Sequence, residues 1–355
     1  MAGFHALGTS FAEVRKIEAS SVHARYEMGQ RGKREISVNC GVPSRIVTAM
    51  IALAGTSAGV QTADSGIVHA QAHATPFDFD GDGRADIFVY RETTGAWFAV
   101  LSSGGFLNFP WGSPQLQDRP VPMDYDGDGK VDVAVYRQTT GEWFVRRSSN
   151  GTLIHVSWGT PTFGDVPAPA DFDGDGAADF AVYRRTTGEW IIHRSSDNRS
   201  IRVSWGAPRW DDVPVPADYD GDGVADVAVY RRTTGEWLIH RSSDGGRVQV
   251  SWGAPTLGDV PVVADYDGDG IADIAVYRTT TGEWFIHRSS DSVLVHVTWG
   301  SPSLGDTPMP ADYDGNGTTD IAVYRPAPAT WFVLGASIGT GSYSFSMAQP
   351  QEPSR

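Results

Sequence analysis

A nine-residue pattern, Asp-x-Asp-Gly-Asp-Gly-x-x-Asp, recurs six times in this 355-residue chain with one substitution and constrains it more than any other feature. The copies begin at Asp78, Asp124, Asp171, Asp218, Asp265 and Asp312, so successive starts lie 46, 47, 47, 47 and 47 residues apart. Four carboxylates so close together have no place in a dry core, because ionised groups are costly to bury unpaired. A hard cation resolves the conflict. Ca2+ takes six to eight oxygens, and a tight loop with carboxylates at positions 1, 3, 5 and 9 can wrap it. Glycines at positions 4 and 6 permit the sharp bends that turn those oxygens inward. Position 7 (Arg84, Lys130, Ala177, Val224, Ile271, Thr318) changes chemistry from copy to copy, as expected if only its carbonyl is used.

A period of this length with strand patterning reads as a propeller or a repeat array. In the fourth unit, Val213–Ala217 reads as a first strand leading into the Asp loop, and the alternating segment Asp226–Arg231 as a second. Thr233-Thr234-Gly235 is a turn, Glu236–Arg241 a third strand, Ser243–Gly246 another turn, and Arg247–Gly253 a fourth strand. The expected fold is therefore all-β, a β-propeller of six four-stranded blades, one per repeat of ~47 residues. Tryptophan recurs at two positions of the unit, as blade packing requires. Trp97, Trp143, Trp190, Trp237, Trp284 and Trp331 hold one, and Trp111, Trp158, Trp205, Trp252 and Trp299 the other. The first and last units depart from the pattern, with Ala96 before Trp97 and Pro328-Ala329-Thr330 before Trp331. Closure into a ring is preferred over an open array, because it removes exposed edges.

The net charge of −15 argues against nucleic acid or an anionic membrane as partner. It originates in the repeats, where residues 75–355 hold 21 basic and 38 acidic side chains. The loops alone carry 23 Asp. The single cysteine, Cys40, excludes an internal disulfide framework and a Cys-based zinc site. Residues 1–74 read as a leader. Arg31, Lys33, Arg34 and Arg45 precede an apolar stretch over 46–60, and Ala70-Gln71-Ala72 and Ala72-His73-Ala74 follow. That is the layout of a secretory signal behind an over-extended start. The apolar run is too short for a membrane span, so the expected mature chain has none. The propeller is expected over 75–350, with a short tail at 351–355.

An EF-hand would need a bidentate Glu at loop position 12. That position holds Val89, Val135, Val182, Val229, Val276 or Val323. The Asp pattern followed by Asp-(Ile/Val)-Ala-Val-Tyr-Arg, with Trp-Gly-x-Pro and Gly-Asp-Val-Pro at the unit junction, resembles the FG-GAP/VCBS-type repeat over about residues 74–350. This repeat builds the propeller of integrin α-subunits and of many bacterial exported proteins. The resemblance implies up to six Ca2+ ions. The implied ligands are Asp78, Asp80, Asp82 and Asp86, then Asp124, Asp126, Asp128 and Asp132, then Asp171, Asp173, Asp175 and Asp179. They continue as Asp218, Asp220, Asp222 and Asp226, Asp265, Asp267, Asp269 and Asp273, and Asp312, Asp314, Asn316 and Asp320. Asn316 still offers a carbonyl oxygen but lacks the charge. Integrin propellers are similar to a seven-bladed ring, whereas six units are present here.

No catalytic constellation is visible, so the chain is expected not to be an enzyme. His193, His240 and His287 recur with the unit and read as blade features. Glu142, Glu189, Glu236 and Glu283 are expected to pair across the hairpin with Arg137, Arg184, Arg231 and Arg278. The same Arg, Glu and Trp could instead grip and stack on sugar rings, which would make a multivalent lectin. A calcium-dependent polysaccharide-processing enzyme would need non-repeating cleft residues, for which Arg119, Arg209 and Trp210 are the candidates. The expected function is a secreted or cell-surface calcium-binding scaffold for an extracellular protein or carbohydrate ligand.

Overall fold

Burial falls from the middle of each repeat outward, and the strand patterns follow it. The computed structural model describes residues 76–335 and 342–346. The expected leader and tail lie outside those residues. In the fourth blade the strands are Asp212–Pro214, Val227–Arg231, Glu236–His240 and Arg247–Ser251. The second is buried on both faces through Val227, Ala228, Val229 and Tyr230, as a near-continuous apolar run requires. In the third, Trp237 and Ile239 are buried and alternate with half-buried residues. The fourth is the outer edge and shows only exposed and half-buried residues. Each strand pairs antiparallel with its sequence neighbour, with Tyr230 opposite Trp237 and Trp237 opposite Val250. Five sheets of four strands and one of three are arranged this way, the three-stranded one being blade 1 among the described residues. Helix is confined among the described residues to three-residue 3-10 turns such as Pro255–Leu257. The expected six-bladed propeller is the fold.

The first strand is shorter than expected. It ends at Pro214 instead of running to Ala217. Beyond it Val215 still donates its N–H to the Ala228 carbonyl at 2.9 Å, and an isolated bridge pairs Ala217 with Asp226.

Both tryptophan positions join strands and blades. The Trp237 ring is fully buried, packs on Tyr230 with centroids 5.1 Å apart, and donates its indole N–H to the Trp252 carbonyl at 2.8 Å. Trp252 in turn donates to the Phe285 carbonyl of the next blade at 3.1 Å. The same inter-blade bond runs from Trp111 to Phe144, Trp158 to Ile191, Trp205 to Leu238 and Trp299 to Phe332. Gly253 must be glycine, since a Cβ there would lie 2.7 Å from the Tyr230 hydroxyl.

The ring closes through the Asp loops. The N–H at loop position 8 donates to the position-1 carbonyl of the preceding loop: Val131 to Asp78, Ala178 to Asp124, Ala225 to Asp171, Ala272 to Asp218 and Thr319 to Asp265, at 2.7–2.8 Å. Ala85 completes the circle by donating to Asp312 at 2.7 Å. Blade 1 and blade 6 also share one core, which unites Tyr90 and Trp97 with Met309, Tyr324 and Trp331.

Candidate metal centres

Each loop is folded by its own first carboxylate. Asp218 Oδ1 accepts the N–H groups of Asp220 and Gly221, and its Oδ2 accepts that of Gly223. These bonds need a left-handed backbone at Gly221 (φ 78°) and Gly223 (φ 83°), which glycine adopts without strain. Gly221 has a second reason to be glycine. A Cβ there would come within 3.0 Å of Ile271, the position-7 side chain of the next loop. Position 7 therefore does more than present a carbonyl, since its side chain rests on the preceding loop.

The last carboxylate ties the loop to the blade. Asp226 Oδ2 accepts the Tyr219 N–H at 3.0 Å, and Oδ1 accepts the Ser242 N–H at 2.7 Å. Position 5 is exposed. Asp222 accepts the Val224 N–H and the Ser242 hydroxyl. Position 3 is the open one. Asp220 Oδ2 accepts the Ser243 hydroxyl, while Oδ1 is buried with no partner. The same orphaned oxygen recurs in Asp126, Asp173 and Asp267. An unpaired buried carboxylate oxygen costs free energy unless something positive satisfies it.

Carboxylate oxygens of positions 1, 3 and 9 converge within 4.8 Å of one another in Asp78, Asp80 and Asp86, and likewise in Asp124, Asp126 and Asp132. Asp171, Asp173 and Asp179 form a third such group, and Asp218, Asp220 and Asp226 a fourth. In blade 5 the converging set is Asp265, Asp267 and Asp269. Burial pushes the position-9 carboxyl up against the pull of its N–H bonds, to about 6 in Asp86, Asp132, Asp226 and Asp273 and to about 7 in Asp179. Burial likewise raises Asp78, Asp124 and Asp265 at position 1. Convergent, desolvated, oxygen-only donors fit a hard divalent cation such as Ca2+. Bound there, the ion would supply charge neutralisation and a link between loop positions.

Two partners of the loops escaped the sequence reading. The serine pair after the third strand (Ser102-Ser103, Ser148-Ser149, Ser195-Ser196, Ser242-Ser243, Ser289-Ser290) docks on the Asp loop of its own blade. The arginine before it reaches position 3 in two blades, with Arg194 Nε 2.8 Å from Asp173 Oδ2 and Arg288 Nε 3.0 Å from Asp267 Oδ2. Burial works against ionisation of these two aspartates. The hydroxyls of Ser196 and Ser290 and the two guanidinium groups outweigh it, so both carboxyls lie below their ordinary value. The recurrence of Arg-Ser-Ser at the loop's own period was the available signal.

The expected Arg–Glu pairs are corrected in part. The arginine ending the second strand binds the buried aspartate of Gly-Asp-Val-Pro and its counterparts, as in Arg137–Asp118 at 2.8 Å, Arg184–Asp165 at 2.8 Å and Arg278–Asp259 at 2.7 Å. Glutamate is a secondary partner, 3.2 Å away in Arg231–Glu236 and 3.8 Å in Arg278–Glu283. The reason is reach: the aspartate side chain is buried beside the guanidinium, while the glutamate sits at the rim. His193, His240 and His287 pack on Trp158, Trp205 and Trp252 of the preceding blade.

Residues 124–182 and 218–276, each spanning a loop, its blade and the next loop, match the model of the FG-GAP-like repeat. Those two stretches are similar to the FG-GAP-like repeat. No curated protein matches the sequence. Among solved structures, the propeller is similar to virginiamycin B lyase from Staphylococcus aureus, at 8% identity and a TM-score of 0.49, over 78% of this chain and 85% of that one. It is similar also to an Agrocybe aegerita lectin that recognises non-reducing terminal N-acetylglucosamine, at 18% identity and a TM-score of 0.49, over 78% and 79%. The expectation that the chain is not an enzyme is corrected by the first of these. A lyase stands among the propellers similar to this one, and a propeller does not by itself decide whether a chain is an enzyme. No helix of the described residues is long and apolar enough to cross a membrane.

Proposed function

We propose that this chain is an exported calcium-binding propeller that serves as a binding scaffold for an extracellular protein or carbohydrate. Positions 1, 3, 5 and 9 of the six loops, with Asn316 at position 5 of the last, would hold up to six ions. The observation that carries the reading is the buried, unpartnered position-3 oxygen repeated in four loops beside two further converging carboxylates. Metal analysis and calorimetric titration test it. The expected result is uptake of several Ca2+ per chain at affinities of about 10⁻⁴–10⁻³ M, typical of extracellular modules. Protein dialysed against calcium that carries none would overturn it.

Carbohydrate recognition is favoured by a different feature from the one expected. The recurring tryptophans of the third strand are buried and cannot stack on a sugar. A polar cavity of about 350 Å³ lies instead between blades 1 and 2, lined in part by Glu92, Gln117, Arg119 and Gln138. The first three have no chemical equivalent elsewhere in the ring, where their places hold residues such as Arg185, Gly164 and Val166. Carboxylate, guanidinium and amide groups together suit a neutral polyhydroxylated ligand. Glycan-array binding lost in Arg119→Val is the expected result. Array binding that survives the change would place recognition elsewhere.

A further inference from the structure

The six loops share one property that the Asp pattern does not contain. Each has a basic side chain supplied from one of two places. In blades 2 to 5 it is the arginine of Arg-Ser-Ser: Arg147, Arg194, Arg241 or Arg288. Arg194 and Arg288 sit on the position-3 carboxylate at 2.8 and 3.0 Å, and Arg241 lies 4.0 Å from Asp220 Oδ2. Arg147 holds the equivalent sequence position in blade 2, where its Nε is buried without a hydrogen-bond partner. Blades 1 and 6 have no such arginine, because the equivalent residues are Leu101 and Gly335.

Their cation comes from the neighbouring loop. Lys130, at position 7 of the second loop, lies on Gly81 and donates its ammonium to the Asp80 carbonyl at 2.8 Å. Arg84, at position 7 of the first loop, crosses the ring seam and lies on Gly315 of the sixth, where a Cβ would be 2.9–3.4 Å from its side chain. The loops already served by their own arginine meet Ala177, Val224, Ile271 or Thr318 at that place. The basic position-7 residues thus face the two loops that lack the in-blade arginine, and only those. Position 7 varies, but it varies in step with the residue before the serine pair.

We propose that these six side chains are resident counter-cations, one per loop, that hold the acidic ring closed without metal and set how tightly each loop takes a divalent ion. The affinity half of this rests on the calcium reading above; the metal-free half does not. Four carboxylates on one short loop repel one another, and a single fixed positive charge offsets part of that repulsion without a bound ion. The same charge opposes an incoming divalent cation, and in blades 3 and 5 it also occupies a position-3 oxygen.

The test moves the charge instead of only deleting it. Lys130→Ala copies the arrangement of Ala177, and Leu101→Arg copies that of Arg147, so both substitutions have a precedent in the same ring. In excess EGTA, Lys130→Ala should melt about 2–4 °C below the native chain. Adding Leu101→Arg should restore the loss, because loop 1 then carries its cation from inside its own blade. A second variant, with Arg147, Arg194, Arg241 and Arg288 all changed to Leu, should bind Ca2+ about three- to tenfold more tightly while melting lower in EGTA. An unchanged melting point in Lys130→Ala, or a loss that Leu101→Arg leaves in place, overturns the proposal. Should the fourfold variant not fold, the Lys130 pair still decides. Should the native chain bind no Ca2+, the calcium reading falls, while the melting arm continues to judge the counter-cations.

Discussion

Two sets of links join neighbouring blades, and they are built from opposite chemistry. Between the Asp loops, backbone N–H groups and carbonyls pass from one blade to the next among buried carboxylates. In the strands, indole rings do the same job, each second-position tryptophan reaching the carbonyl of the following blade inside an apolar stack. Both recur with the same period and neither alone describes the ring. The loops depend on what ions and protons the solution supplies. The tryptophans depend on burial, which the solution hardly alters.

Chelation should separate the two most strongly. At about 1 mM Ca2+, each site of extracellular-type affinity stabilises by roughly 0.4–1.4 kcal/mol, and six independent sites by roughly 2–8 kcal/mol. Melting in excess EGTA should fall accordingly, and an unchanged curve would make the loops as indifferent to solution as the tryptophans. A pH series on the chelated protein sharpens the point. The position-9 carboxyls are raised to about 6 or 7, above the unfolded value near 4, so their contribution to stability is present below about pH 4. It is lost as pH rises through 6 to 7. Metal-free protein should therefore melt higher at pH 5 than at pH 7.5. With saturating Ca2+ the trend should reverse, because the ion needs those carboxylates ionised. Parallel trends in both samples would detach the position-9 groups from the metal.

Trp237→Ala probes the other set. The ring is fully buried between two strands, and its removal should cost about 3–5 kcal/mol. The loss measured by denaturant titration should be the same with and without Ca2+. A loss that vanished on adding Ca2+ would show the two sets of links to be one. Asp226→Asn is its counterpart in the loops. It weakens the hold on the N–H groups of Tyr219 and Ser242 and should cost about 1–3 kcal/mol. Here the Ca2+-dependent part of stability should shrink as well.

The sequence disclosed these two sets unequally. Blade number, strand order and the loops were legible, because the Asp pattern and both tryptophans return at a period that only a stack of like units explains. Position 1, as the residue that folds the loop, and position 9, as its tether, are local consequences of that pattern. What stayed hidden depends on which strands lie side by side. Ser242 and Ser243 are 20 and 23 residues from the aspartates they serve. Asp118 and Arg137 are 19 apart but face each other across the first and second strands, and they form a closer pair than Arg137 and Glu142 across the second and third. Lys130 and Asp80 meet across a blade boundary, 50 residues apart. A repeat shows which residues are equivalent, but not which of them touch the next copy.

The smallest effect concerns a single bond. Trp252→Phe keeps an aromatic ring but removes the N–H that reaches the Phe285 carbonyl at 3.1 Å. The loss should be about 1 kcal/mol, the net worth of one hydrogen bond, with the carbonyl left partly unsatisfied. Because blades 1 to 5 each make this link to the next blade, the same change at Trp158 or Trp205 should give a similar value. Trp299 is the informative exception, for its partner Phe332 belongs to the blade that meets blade 1 in a shared core. If Trp299→Phe costs distinctly more than Trp252→Phe, the blade next to the seam depends on its tryptophan link more than the others do. Equal losses would mean that the tryptophans treat all junctions alike, and that any asymmetry of the ring resides in its charged loops.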